Sequence, residues 1–181
     1  CDVKETTVIP YVKTIALSKT SYAYNGKIQK PSVTVKDAKN GSLKLNTDYT
    51  VIYSGGQKNA GTYKVVVKGK GNYDFTKTLT YKITKATATV KISTSSKTVK
   101  YRKVKKKKQT FNLSASASSK GKLTYKKTSG NNKITVSKTG KVTVKKGLKK
   151  GTYKVKIKVS AAAVTNYNAA SATKTIKVVV K

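Results

Sequence analysis

The sequence predicts an all-β chain folded as two tandem β-sandwich modules, and three features predict it. Apolar residues recur with a period of two almost everywhere, the period of a strand with one buried and one solvated face. The segment GTYKVVVK at 61–68 returns as GTYKVKIKV at 151–159. No stretch approaches the ~18 consecutive apolar residues that would span a membrane, and the longest Ala-rich run, 160–164, is too short and unpatterned to nucleate a helix.

In the repeat segment, alternation puts Tyr63, Val65 and Val67 on one face and Lys64, Val66 and Lys68 on the other. Its counterpart puts Tyr153, Val155, Ile157 and Val159 inward and Lys154, Lys156 and Lys158 outward. GNY at 71–73 is echoed by TNY at 165–167, and each half closes on a final strand, 78–83 and 173–180. Further strands are expected at 32–36 and 49–53 in the first half, with turns at Asn25-Gly26, Asn40-Gly41 and Gly55-Gly56. In the second half they are expected at 89–93, 110–115, 123–127, 134–137 and 141–145, with Thr139-Gly140 as a tight hairpin turn. Strands at this spacing indicate two immunoglobulin-like sandwiches, 1–85 with an N-terminal tail over about 1–12, and 86–181. The joining segment 84–87 is short enough to bend but not to separate the modules freely.

YAYNGKIQKPSVTVKD at 22–37 and TDYTVIYSGGQKNAGTYKVVVKGKGNY at 47–73 resemble a repeat common in secreted and cell-surface proteins of gut Firmicutes. LTYKKTSGNNKITVSKTGKVTVKKGLKKGTYKVKIKVSA at 123–161 resembles bacterial immunoglobulin-like (Big) domains of the second group. The resemblance implies a secreted or surface-attached Gram-positive protein, and is specific for fold and habitat rather than for function. One departure is the run Tyr125-Lys126-Lys127-Thr128-Ser129, where Big domains carry an aromatic-Ser-Ser run. No role resting on that run is carried over.

The chain has 181 residues with 41 Lys plus Arg against 5 Asp plus Glu, a net charge of +36, and no His. Paired-carboxylate, Ca²⁺ and two-metal chemistry need several converging acids, and His-dependent triads and zinc sites need the missing imidazole. The chain reads as a non-enzyme without cofactors. The charge is uneven: residues 1–85 carry 15 Lys and all five acids, a net +10, whereas residues 86–181 carry 25 Lys, one Arg and no acid, a net +26.

The densest run, KYRKVKKKK at 100–108, is expected to be a loop. Adjacent cations repel, so such a run persists where solvent or an anionic partner screens it. Lys100, Arg102, Lys103, Lys105, Lys106, Lys107 and Lys108 are accordingly the candidate polyanion-binding residues. The partner would be an anionic cell-wall polymer or acidic glycan; the plainer reading is a solvated face. Forty Lys to a single Arg argues against specific nucleic-acid readout, which favours bidentate Arg. Alternatives are a module capturing a host surface or secreted protein through a strand edge, and accessory modules of a larger secreted hydrolase.

Tyr63 and Tyr153 lie in register with core aliphatics, while Tyr73 and Tyr167 are the expected corner tyrosines. Tyr22 and Tyr24 are expected at the surface, where they could stack on a sugar. Asp48 is expected to bond backbone at a turn, and Asp37, Asp48 and Asp74 leave an internal Lys-Asn isopeptide bond open in the first module. Cys1 has two readings, a lipidated N-terminus tethered to a membrane or an arbitrary chain boundary. Met is absent throughout, so the chain reads as a processed or trimmed piece of something longer.

Overall fold

The computed structural model describes residues 11–39 and 41–181. Cys1 and the Asn40 half of one expected turn lie outside the described residues. The fold is all-β, two immunoglobulin-like sandwiches, and the chain divides into two compact units at Lys85/Ala86.

The first unit contains β1 (Val12–Leu17), β2 (Ser21–Ala23), β3 (Val33–Asp37), β4 (Gly41–Ser42), β5 (Tyr49–Tyr53), β6 (Gly61–Gly69) and β7 (Thr76–Thr84). They form one sheet in the order β1-β3-β4 and a second in the order β2-β7-β6-β5. Val35, Val65 and Val67 are fully buried between them, with Tyr49, Tyr81 and Ile83. Alternation explains this placement, since the inward residues of β6 are Tyr63, Val65 and Val67 and the outward lysines stay in water.

The tyrosines of this core carry hydroxyls that burial would penalise without partners. Three of them donate to alternate carbonyls of one segment: Tyr81 to Gln29 O at 2.9 Å, Tyr53 to Pro31 O at 2.6 Å and Tyr49 to Val33 O at 3.1 Å. The segment leading into β3 is thus zipped onto the opposite sheet by side chains. Tyr22 packs edge-on against Tyr81, with ring centroids 5.9 Å apart, and Tyr63 stacks on the same ring at 5.5 Å. Tyr22 and Tyr24 are half-buried against the core rather than fully at the surface, so each offers only part of its ring to a sugar.

The second unit contains β8 (Val90–Ile92), β9 (Ser96–Val99), α1 (Tyr101–Lys106), β10 (Gln109–Asn112), β11 (Ala115–Ala117), β12 (Leu123–Ser129), β13 (Ile134–Val136), β14 (Lys141–Val144), β15 (Gly151–Ala161) and β16 (Ala170–Val180). Its sheets run β12-β15-β16-β9, β10-β14-β13 and β11-β8. Val, Ile and Leu fill the core, with Val142, Val144, Val155, Ile157, Val159 and Ile176 fully buried. The repeat in the sequence is a repeat of topology. Each unit pairs a short strand in parallel with its last strand, β2 with β7 and β9 with β16, and then adds the Gly-Thr-Tyr strand.

The expected strand at 110–115 is two strands in different sheets. β10 pairs with β14, and after Leu113 the chain crosses to pair β11 with β8. The switch is held by Leu113 N–H donating to Gly140 O at 2.9 Å and Ser114 N–H donating to Thr94 Oγ1 at 2.8 Å. Thr139-Gly140 does form the hairpin between β13 and β14. Gly140 has φ +85, and a Cβ there would lie 3.0 Å from the Tyr125 ring, so turn and packing both require glycine.

The corner bond belongs to other tyrosines than expected. Tyr63 OH donates to Asn59 O at 2.7 Å and Tyr153 OH to Lys149 O at 2.9 Å, each four residues back across the start of the Gly-Thr-Tyr strand. Tyr73 OH instead donates to Asp37 Oδ2 at 2.9 Å, and Tyr167 bridges Ala86 and Val164 through its backbone. Buried Asp37 also accepts from Lys39 N–H. Asp48 accepts from Lys44 N–H at 2.7 Å, the turn bond expected of it.

Tyr63→Phe and Tyr153→Phe are each expected to destabilise by about 1 kcal/mol, the net worth of one hydrogen bond, measured by urea unfolding. A pH series should show a second effect. Burial raises the pKa of Tyr49, Tyr53 and Tyr81 above the ordinary 10.0, with neighbouring tyrosines adding at Tyr53 and Tyr81. Above pH ~10 the unfolded chain loses these protons while the folded chain keeps them, so stability falls as pH rises through that window. The comparison between chains isolates this contribution: the change in urea midpoint from pH 8 to pH 11 should be less negative for Tyr81→Phe than for the unaltered chain.

Candidate polyanion-binding surface

The basic run is not a loop. Residues 101–106 form α1, which corrects the expectation of a chain without helix. Six residues cannot hold a helix alone, and this one has neither a side-chain N-cap bond nor an acid in its first turn. Packing supplies what propensity does not. Val104 is fully buried, Tyr101 packs on the core, and Tyr101 N–H donates to Lys181 O at 2.7 Å. Val104 O accepts from Gly147 N–H at 3.1 Å. Lys103, Lys105 and Lys106 sit in the last turn, where the helix dipole favours cations. The single apolar residue Val104 inside a cationic run is the signal that could have revealed the helix.

With Val104 turned inward, the helix distributes its charges. Arg102, Lys103, Lys106 and Lys107 line a cleft of about 450 Å³ together with Gln109, the first residue of β10. Lys100, Lys105 and Lys108 do not line it; they are exposed elsewhere around the helix. Gln109 Nε2 donates to Lys107 O at 3.2 Å and Lys108 O at 2.9 Å, fixing the chain where the helix ends. Lys150 Nζ lies 5.7 Å from the Tyr101 ring, a cation–π contact on the neighbouring loop. Four cations thus stand around one cleft, with no acidic side chain in residues 86–181 to offset them.

A second cationic feature lies on the sheets, and single-strand reasoning misses it because it depends on register. On the outer face of the β12-β15-β16-β9 sheet, Lys126 stands directly opposite Lys158, and Lys154 directly opposite Lys177. Like charges in facing positions are destabilising. At ~6 Å in water each pair costs about 0.7 kcal/mol before screening.

Two lysines run the other way. Lys127 and Lys174 occupy inward positions on either side of buried Ile157. Lys127 Nζ donates to Gly130 O (3.2 Å), Asn131 O (2.7 Å) and Ile134 O (2.8 Å), using all three of its hydrogens. Lys174 Nζ donates to Ile92 O (2.9 Å) and Ser95 Oγ (2.8 Å). Each stem covers core while the ammonium reaches a strand of another sheet. These two lysines are structural clips.

Among the described residues no group of three His, Cys, Asp or Glu comes together, and no helix is long and apolar enough to cross a membrane. No protein-family model matches the chain, and no curated protein matches it. Solved structures similar to it include Drosophila N-cadherin EC1-4, at 13% identity over 95% of this chain and 50% of that one, with a TM-score of 0.43. Sidekick-1 immunoglobulin domains 1-4 align at 9% identity over 95% of this chain and 48% of that one, TM-score 0.46. The human desmocollin-1 ectodomain aligns at 17% identity over 92% and 40%, TM-score 0.39. The chain thus spans half or less of each, and the likeness is one of fold alone.

Lys158→Glu puts an acid opposite Lys126 and beside the outward Lys156 of its own strand. At low salt it is expected to stabilise the second unit by about 0.5–1 kcal/mol. The gain should shrink in 1 M NaCl, where the Debye length is about 3 Å; thermal melts at the two ionic strengths measure it.

Proposed function

We propose that this chain is a non-catalytic extracellular module pair for spacing, cell-surface attachment or adhesion, whose second unit binds an anionic surface polymer or acidic glycan. One observation carries the reading: a folded unit of net +26 has no acid of its own, sets lysine against lysine across its strands, and gathers Arg102, Lys103, Lys106 and Lys107 round one cleft. A polyanion laid on that surface relieves repulsion the fold cannot relieve internally, so binding and folding reinforce each other. The resemblance to Big-type repeats of Gram-positive surface proteins supports the extracellular setting. Lys100, Lys105 and Lys108 belong to the outer field that draws the polymer in rather than to the cleft.

Retention on immobilised polygalacturonate should be strong at 50 mM NaCl and lost by about 0.5 M, as screening removes the attraction. Replacing Arg102, Lys103, Lys106 and Lys107 by Gln should weaken binding about 30-fold at the lower salt, four exposed ion contacts at roughly 0.5 kcal/mol each. Retention that survives 0.5 M NaCl and the quadruple replacement would instead favour capture of a host protein through a hydrophobic interface.

A further inference from the structure

Two openings in the second unit flank the same small sheet. The cationic cleft beside α1 borders β10 through Gln109. A larger groove, about 690 Å³, borders β13 on the far edge of the β10-β14-β13 sheet. It is lined by Thr124, Tyr125, Lys126 and the carbonyl-bound Lys127 on one side and Thr135, Val136 and Lys138 on the other. The Tyr125 hydroxyl makes no hydrogen bond to the described residues and is not sealed from solvent. Tyr125 N–H to Lys138 O, 3.1 Å, ties the two sides of the groove together at one end.

Register joins the openings. Thr110, the residue after Gln109, stands opposite Thr143, and Thr143 stands opposite Thr135, which lines the groove. With strands ~4.8 Å apart, three hydroxyls form a row about 10 Å long across the outer face. Val142 and Val144 point into the core, so the same-face neighbours of Thr143 are Lys141 and Lys145, both exposed. The hydroxyl row therefore has a cation on each side and a cationic cleft at one end; at the other, past the β13 edge, lies the groove, lined by outward Lys126 and by Lys138, with half-buried Tyr125 and Val136 on its core-facing side.

We infer that this face is the binding track for an acidic polysaccharide, entering over the α1 cleft, crossing the threonine row and seating one sugar ring in the Tyr125 groove. The inference rests on the polyanion reading and names its ligand class. Threonine hydroxyls both donate and accept, which suits sugar hydroxyls. The tyrosine ring and Val136 give an apolar floor for a pyranose face, and the lysines meet its carboxylates or sulfates. A neutral glycan is disfavoured because the unit offers no carboxylate to accept from sugar hydroxyls. A polymer without rings, such as polyphosphate, would use the cations but neither the hydroxyl row nor the groove floor.

The test uses the whole chain, with oligogalacturonate and linear polyphosphate of matched charge as probes. The triple variant Thr110→Val, Thr135→Val, Thr143→Val keeps β-branched residues on the strands. Because it removes three hydroxyls that would hydrogen-bond the sugar, it is expected to weaken oligogalacturonate binding about tenfold or more, and polyphosphate binding less than about twofold. An equal loss for both probes, or none for oligogalacturonate, overturns the track while leaving polyanion attachment standing. Failure of the unaltered chain to bind either probe at 50 mM salt overturns both. Amide shift mapping on the unaltered chain provides a measurement free of any folding defect: oligogalacturonate shifts centred on Thr110, Thr143, Thr135 and Tyr125 support the track, and shifts centred elsewhere overturn it.

Discussion

The second unit carries 26 net positive charges and no acidic side chain, so none of its lysines can be neutralised by a side chain of its own unit. Everything else about that unit follows from this constraint. A β-sandwich answers it by alternation, which sends every second residue of a strand to water. Lys154, Lys156 and Lys158 stay hydrated while Val155, Ile157 and Val159 pack. Lysines at inward positions are given carbonyl oxygens instead. The ammonium of Lys127 takes three and that of Lys174 takes one with a serine hydroxyl, so dipoles stand in for the missing carboxylates. What remains is the repulsion across Lys126/Lys158 and Lys154/Lys177, small per pair and comparable in sum to a noticeable part of a domain's ~5–15 kcal/mol stability.

The two units solve the same topology with different interiors. The first has tyrosines in its core, and their hydroxyls use the carbonyls of residues 29, 31 and 33 in place of a ladder of backbone bonds. That device ties residues 29–31, which lie outside any strand, and the first residue of β3 to the opposite sheet. The second is filled by Val, Ile and Leu and sets its loops with lysine and serine side chains. The Gly-Thr-Tyr strand is the shared part, and in both its tyrosine bonds a carbonyl four residues upstream. A bond local in sequence anchors the first turn of the longest strand pairs, a reason for the motif to recur where the rest of the core has diverged.

How much of this was legible in the sequence depends on range. Alternation located the long strands because each strand's inward and outward residues are set by its own sequence. The expected 49–53 strand coincides with β5, and 151–159 lies within β15. The short strands β2, β4 and β9 are not legible because two to four residues hold too little alternation, nor is β1, because a bulge between Val12 and Thr14 breaks its period. α1 was hidden for the opposite reason. Its formation is decided by the core position of Val104 and by the backbone contact to Lys181, both long-range facts. At the candidate site, composition marked the acid-free unit and its densest cationic run, but only register could set Lys126 against Lys158 or line up Thr110, Thr143 and Thr135.

The choice of lysine over arginine gives this surface its character. An ammonium is a compact, strongly hydrated charge on a flexible stem, whereas a guanidinium locks onto carboxylates or phosphates in a planar fork. On the polyanion proposal, the lysines on the outward strand faces of the second unit therefore make a field suited to an anionic chain in many registers, with little preference among local geometries. The single guanidinium, Arg102, lines the α1 cleft with three lysines beside the start of β10. On the same proposal, diffuse attraction over the unit and one geometrically demanding contact divide the work of an attachment module: the field would keep the polymer near without fixing it, and the cleft would give a point from which it is aligned.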